Sequence, residues 1–234
     1  MEDNSIYQFS LLNALMDGIC EVGIPTSKLL QKGNQGLGTF VRMDGELVML
    51  DGTVYQLKGD GSIRAADPHD EIPFAMSTLF KPTISIERAI PNKESIDEIF
   101  DEFFPHTANQ FVSYRFEGAF KSMKVRTVRA QEYKGQPLSE LGAKQSVFDY
   151  EDVEGTVVGF RSPESWQGFS VAGEHLHFIS HDRKKGGHIL ELCSEGVKIG
   201  MALNSNVHVE LPTDRDFNDA KLAMNDAEIR KVEG

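Results

Sequence analysis

Three histidines hold the densest chemical potential in this sequence. His175, His177 and His188 lie within Gly173-Glu-His175-Leu-His177-Phe-Ile-Ser-His181-Asp-Arg-Lys-Lys-Gly186-Gly187-His188. On a β-strand, residues two apart project from the same face, so His175 and His177 point the same way. The polar, glycine-containing run after them reads as a hairpin turn. With a loop of His181–Lys184, Ser180 pairs with Lys185 and His188 falls opposite His177. Directly opposite residues share a face, with Cβ atoms ~5 Å apart. Three neutral imidazoles then converge on one side of a ribbon. That set suits Zn²⁺ in tetrahedral coordination at ~2.0–2.1 Å with the fourth position open, the arrangement of a catalytic site rather than a structural one. The competing reading is a chance meeting of surface or core histidines, and three in register favour the metal. His181 falls in the loop and stays outside the set. His69, His106 and His208 are isolated in the chain and define no site.

A His-x-His pair on a strand also opens the cupin pattern, where a Glu ligand follows within a few residues on the same strand. Here the corresponding positions are His181 and Asp182, inside the expected turn. The open site leaves two classes of reading. One is a zinc lyase or hydrolase using hydroxide on three histidines. The other is a cupin-like or other β-rich protein that binds a small ligand and holds a structural metal. The two cysteines, Cys20 and Cys193, are far apart and too few for a disulfide framework or a thiolate zinc site.

The elements that must position these side chains are mostly strands. Residues 9–16 have apolar residues at helical spacing and predict a short helix. The stretch Gly33-Asn-Gln-Gly36-Leu-Gly38-Thr39-Phe40 has the glycines of a phosphate loop but lacks the Lys-Ser/Thr that would follow. It reads as a tight connection into a strand. Glu46–Leu50 and Thr53–Leu57 flank Asp51-Gly52, a two-residue hairpin signal, and Asp60-Gly61 extends the meander. Lys93–Phe104 is an amphipathic helix stopped by Pro105. Phe111–Phe120 and Lys121–Ala130 read as strands. The polar residues 131–146 predict a domain boundary. Strand-like runs follow at Gly155–Phe160, Phe169–Val171, His175–Ser180, His188–Cys193 and Val197–Leu203, then a polar helix at Phe217–Lys231. The expected fold is α+β: two sheet-rich subdomains with mixed or antiparallel sheets and a few helices. The division is 1–142 for an N-terminal α/β sheet domain and 143–234 for a β-rich metal-binding domain with a C-terminal helix and tail.

Composition narrows the partners. The 234 residues carry a formal net charge of −12, with 24 Lys+Arg against 36 Asp+Glu. An acidic chain repels phosphate backbones and anionic lipid, so neither nucleic acid nor a membrane surface is an expected partner. No run approaches the ~20 apolar residues that span a bilayer. The start Met1-Glu-Asp-Asn4 lacks the cationic and apolar segments of a signal peptide, so a cytoplasmic location is expected.

Long ordered blocks of the chain resemble bacterial α-acetolactate decarboxylase. They are Gly36-Leu-Gly-Thr-Phe40, Asp44-Gly-Glu46-Leu-Val-Met-Leu-Asp-Gly-Thr-Val-Tyr55, Gly155-Thr-Val-Val-Gly-Phe-Arg-Ser-Pro163, Trp166-Gln-Gly-Phe169 and the histidine segment itself. The resemblance implies zinc-dependent decarboxylation of 2-acetolactate to (R)-acetoin and CO₂ through a metal-stabilised enediolate. It implies a homodimer, and metal ligands at His175, His177 and His188, the trio already picked out by spacing. It also implies catalytic roles for Glu46, Arg126 and Glu233. Without the resemblance, Glu46 is an acid opening a strand, Arg126 a cation on a β face and Glu233 a residue near a chain end.

Overall fold

The structure is a computed structural model and describes residues 2–222. Among these residues, strands dominate and fall into two large sheets and one small one. The first sheet has the order β14-β1-β8-β3-β4-β5-β6. Its strands are β1 (Ile6–Phe9), β3 (Gln35–Thr39), β4 (Glu46–Leu50), β5 (Thr53–Leu57), β6 (Ile63–Ala65), β8 (Phe74–Thr78) and β14 (Val207–Glu210). β1 and β14 run parallel and the other pairs antiparallel, so the sheet is mixed. β2 (Ile24–Pro25) and β7 (Glu71–Ile72) form a separate pair. The second sheet holds β9 (Ile84–Ile90), β10 (Phe111–Thr127), β11 (Ser146–Ser162), β12 (Gly173–Ser180) and β13 (Gly186–Asn204). The short helices are α1 (Leu12–Met16), α2 (Thr26–Leu29), α4 (Leu138–Gly142) and α5 (Arg215–Asp219), and α3 (Ser95–Phe103) is the longest described. The α+β expectation is met.

The second sheet closes on itself. β10 pairs with β11 on one side and β13 on the other, β11 pairs with β12, and the start of β13 pairs with β12. A bulge makes this closure possible. Lys124 faces Glu191 while Val125 faces Ile189, so Leu190 is an extra residue on β13. An extra residue bends its strand and increases the local twist. The bend carries Gly186–His188 across to β12 while His188 stays opposite Arg126.

Several local expectations are changed by tertiary packing. Residues 9–16 split into the end of β1 and α1, because Ser10 takes a left-handed φ of 66° that no helix continues through. β1 is buried on both faces, and such a run cannot be told from a buried helix by periodicity. Phe111–Phe120 and Lys121–Ala130 fuse into one long strand, as do His188–Cys193 and Val197–Leu203. Phe169–Val171 is not a strand; it follows a 3₁₀ turn at Glu164–Trp166. The boundary expected at 142 falls between β10 and β11, which are paired from Val112↔Arg161 to Thr127↔Ser146. Sheet membership changes instead between β8 and β9, and β14 returns the chain to the first sheet. The helix expected at Phe217–Lys231 is α5, which stops at Asp219 because Ala220 is extended (φ −72°, ψ 147°). The later part of that expected helix lies outside the described residues.

The glycine-rich stretch is itself a strand, β3, and its glycines answer to close approach. A Cβ on Gly38 would sit 2.2 Å from the carbonyl oxygen of Phe74 on β8, and one on Gly36 would sit 2.5 Å from that of Met76. Both contacts are with backbone, which cannot yield locally. Gly38→Ala is therefore expected to lower stability by about 1–3 kcal/mol through overpacking. A chemical denaturation midpoint equal to that of the unaltered chain would contradict this packing.

Candidate active site and metal centre

The histidine hairpin forms in the expected register. The Ser180 amide donates to the Lys185 carbonyl at 2.8 Å, and His177 lies opposite His188. Local turn chemistry holds the loop. Ser180 Oγ donates to Asp182 Oδ1 at 2.6 Å, the Lys184 amide donates to the same carboxylate oxygen at 3.1 Å, and the Lys185 amide donates to Ser180 Oγ at 2.9 Å. A one-residue slip would turn His188 to the other face, so these bonds fix the site as well as the loop.

The three imidazoles form a near-equilateral triangle, with ring centroids 5.1, 5.2 and 5.3 Å apart. One nitrogen from each lies within 4.8 Å of the others, and all three residues are buried. The triad could hold a metal ion. Its chemistry fits one, because a ligating imidazole must be neutral. Burial, then the charges of Arg126 and Lys93, push the His175 pKa down to about 3. His188 is held well below its ordinary value by burial first and Arg126 second. His177 Nδ1 lies 2.8 Å from the Leu47 carbonyl oxygen. That carbonyl can only accept, so Nδ1 carries the hydrogen and Nε2 presents its lone pair to the cluster.

Glu46 and Arg126 join the histidines. Glu46 opens β4 in the first sheet, and Arg126 lies one residue before the end of β10 in the second, directly opposite His188. Both side chains are buried. Arg126 Nη1 lies 3.6 Å from Glu46 Oε1, and Glu46 Oε2 lies 3.6 Å from His177 Nε2. The site thus sits where β4 packs on β12, and neither sheet contains it alone. Glu233 lies outside the described residues.

Sequence reasoning passed over several contributors. Thr39 Oγ1 donates to the Gly45 carbonyl at 2.7 Å and fixes the turn that delivers Glu46. Arg42 and Met43 in that turn both take left-handed φ values, 61° and 54°. The Arg42 amide bonds to the Cys20 carbonyl, and the Arg42 carbonyl accepts from the Gln131 amide, each at 2.8 Å. Behind His175, on the opposite face of β12, Glu174 accepts a hydrogen bond from Tyr114. Burial pushes its pKa up to about 8. Asp44-Gly45 is a turn dipeptide that could have pointed toward Thr39 and Met43. Nothing in the spacing of Lys93 or Glu174 did, because their positions depend on α3 and β12 meeting other elements.

Polar and apolar groups both line the cavity at these residues. Glu46, Arg126 and the histidines share it with Leu12, Leu15, Met43, Phe74, Val128 and Leu138. The space is about 30 Å³, against the roughly 10–15 Å³ that one water requires. Its mixed lining suits a compact molecule that carries both oxygens and alkyl groups.

Comparison with known proteins gives the same direction. The alpha-acetolactate decarboxylase of Klebsiella aerogenes is 38% identical over 99% of this chain and 90% of its own length. The enzyme of that name from Methanosarcina mazei is 37% identical over 97% of this chain and 80% of its own length. The crystal structure of alpha-acetolactate decarboxylase from Bacillus subtilis strain 168 superposes with a TM-score of 0.94 at 33% identity, covering 98% of this chain and 99% of that one. Among the described residues, no helix is long and apolar enough to cross a membrane. The family model for alpha-acetolactate decarboxylase matches residues 6–224. Similarity of this extent in both sequence and fold separates the chain from the cupin-like alternative and shows that it belongs to the alpha-acetolactate decarboxylase family.

Proposed function

We propose that this chain is a carboxy-lyase that converts 2-acetolactate to (R)-acetoin and CO₂, with zinc at His175, His177 and His188. The observation that supports this most is the buried histidine triad meeting a buried Arg–Glu pair in a cavity of small volume. Loss of CO₂ breaks the bond between the carboxylate and the carbinol carbon. The electron pair passes toward the neighbouring ketone oxygen, and one proton returned to the carbinol carbon completes the product. When bound, zinc supplies a Lewis acid beside the oxygens on which negative charge collects.

The chain's own residues do the rest. The Arg126 guanidinium orients the anionic substrate and offsets its charge, as its planar fork suits a carboxylate. Glu46, with Glu233, handles the proton. Burial excludes water, which strengthens each of these interactions. One-sided access to the carbinol carbon then sets the (R) hand. The family resemblance further supports a cytoplasmic homodimer acting on this small molecule, with no nucleic acid or membrane partner.

The test is acetoin formation from racemic 2-acetolactate, resolved by chiral chromatography. Zinc-loaded protein is expected to give (R)-acetoin, and prior removal of metal by a chelator to stop it. No acetoin from the zinc-loaded chain would refute the assignment.

A further inference from the structure

The residues that line the cavity come from different kinds of element. Glu46, Arg126 and the three histidines all stand on strands of the two large sheets. Of the apolar lining residues, Phe74 also stands on a strand, β8, whereas Leu12 and Leu15 stand on α1, Met43 on the left-handed turn and Leu138 on α4. These last four residues belong to one continuous buried cluster. α4 lies in the connection between β10 and β11, so no sheet register fixes its distance from the histidines. Leu138 begins this helix directly after Pro137 and is buried. Its side chain thus lines the same space as the histidines, Glu46 and Arg126.

We infer that Leu138, backed by Leu12 and Leu15, sets the limit on alkyl size for the substrate. The inference rests on the proposed decarboxylation. An alkyl group placed toward these leucines is removed from water while the oxygens stay with Arg126, Glu46 and the histidines. A longer alkyl group placed there meets Leu138, which lines the space. One methylene in an apolar pocket typically changes discrimination by roughly 10–200-fold.

Three substrates test this: 2-acetolactate, the homologue with ethyl in place of methyl on the carbinol carbon, and the homologue with propionyl in place of acetyl. The measured quantity is kcat/KM for CO₂ release by the zinc-loaded chain. Leu138→Ala is expected to raise the ratio for at least one longer substrate over 2-acetolactate by at least about tenfold. Leu141→Ala serves as the control. Leu141 is buried on the same helix and in the same cluster but does not line the cavity. Its loss should lower the thermal midpoint and leave the ratio unchanged. Leu138→Val, a smaller truncation, provides the same reading in a milder form if Leu138→Ala does not fold. Unchanged ratios in a folded Leu138 variant, or equal shifts in the Leu141 control, would overturn the inference. Inactivity of the unaltered chain on all three substrates would overturn the decarboxylase reading itself, and this inference with it.

Discussion

Replacing His177 with alanine should abolish zinc retention and acetoin formation together while leaving the chain folded. His177 occupies the position from which the site is built. It is paired across the hairpin with His188, shares a strand face with His175, and is tied through Nδ1 to the Leu47 carbonyl of the other sheet. Removing it leaves two imidazoles, too few to complete a three-histidine set. The folding cost is smaller than the metal cost. One hydrogen bond to the backbone is worth about 1 kcal/mol, and the cavity left by the ring adds to that. Elemental analysis after zinc loading and gel filtration should give about one zinc per chain for the unaltered protein and almost none for the variant. His181→Ala, an exposed loop position in the same hairpin, should keep both zinc and activity. Undiminished zinc in His177→Ala would remove the triad from the metal site.

Arg126→Ala should have an effect of similar size on turnover with a different signature. The guanidinium is 3% exposed and lies 3.6 Å from the buried Glu46 carboxylate. Losing a preorganised charge aimed at the reacting oxygens typically costs roughly 10²–10³-fold in kcat. In the role proposed for Arg126 the interaction strengthens in the transition state, so kcat and kcat/KM should fall together. Stability should fall too, since removing one partner of a buried pair costs about 3–5 kcal/mol. Arg126→Lys separates the two effects. It keeps the charge, so it should recover much of the thermal midpoint, but it lacks the fork and should recover little of the rate. Zinc content should be retained in both variants. Near-normal turnover in either one would place substrate orientation elsewhere.

Much of this site was readable because it is local. The His-x-His spacing, the loop His181–Lys184 and the opposition of His188 to His177 lie within one hairpin, where a four-residue loop sets the register. The Asp51-Gly52 hairpin was readable for the same reason: both residues take left-handed φ values, 50° and 75°, which that dipeptide favours. The roles of Glu46 and Arg126 were not legible in spacing, since they lie far from the histidines in sequence and only resemblance to a family raised them.

Tertiary structure decided everything that depended on distant strands meeting. The bulge at Leu190 leaves no clear mark in composition, yet it bends β13 so that His188 faces both His177 and Arg126. The break at 142 was expected from polar composition. A polar loop, however, looks the same whether it joins two domains or two strands of one sheet, and here it joins β10 to β11 and places Leu138 against the cavity. By itself, then, the sequence determined the histidine ribbon, the hairpins and the predominance of strands, because these follow from short-range sterics and alternation. The carboxylate, the guanidinium and the apolar wall reached that ribbon only through the packing of β4 on β12, the closure of the second sheet and the docking of α4. Those are long-range contacts, and no local pattern encodes them.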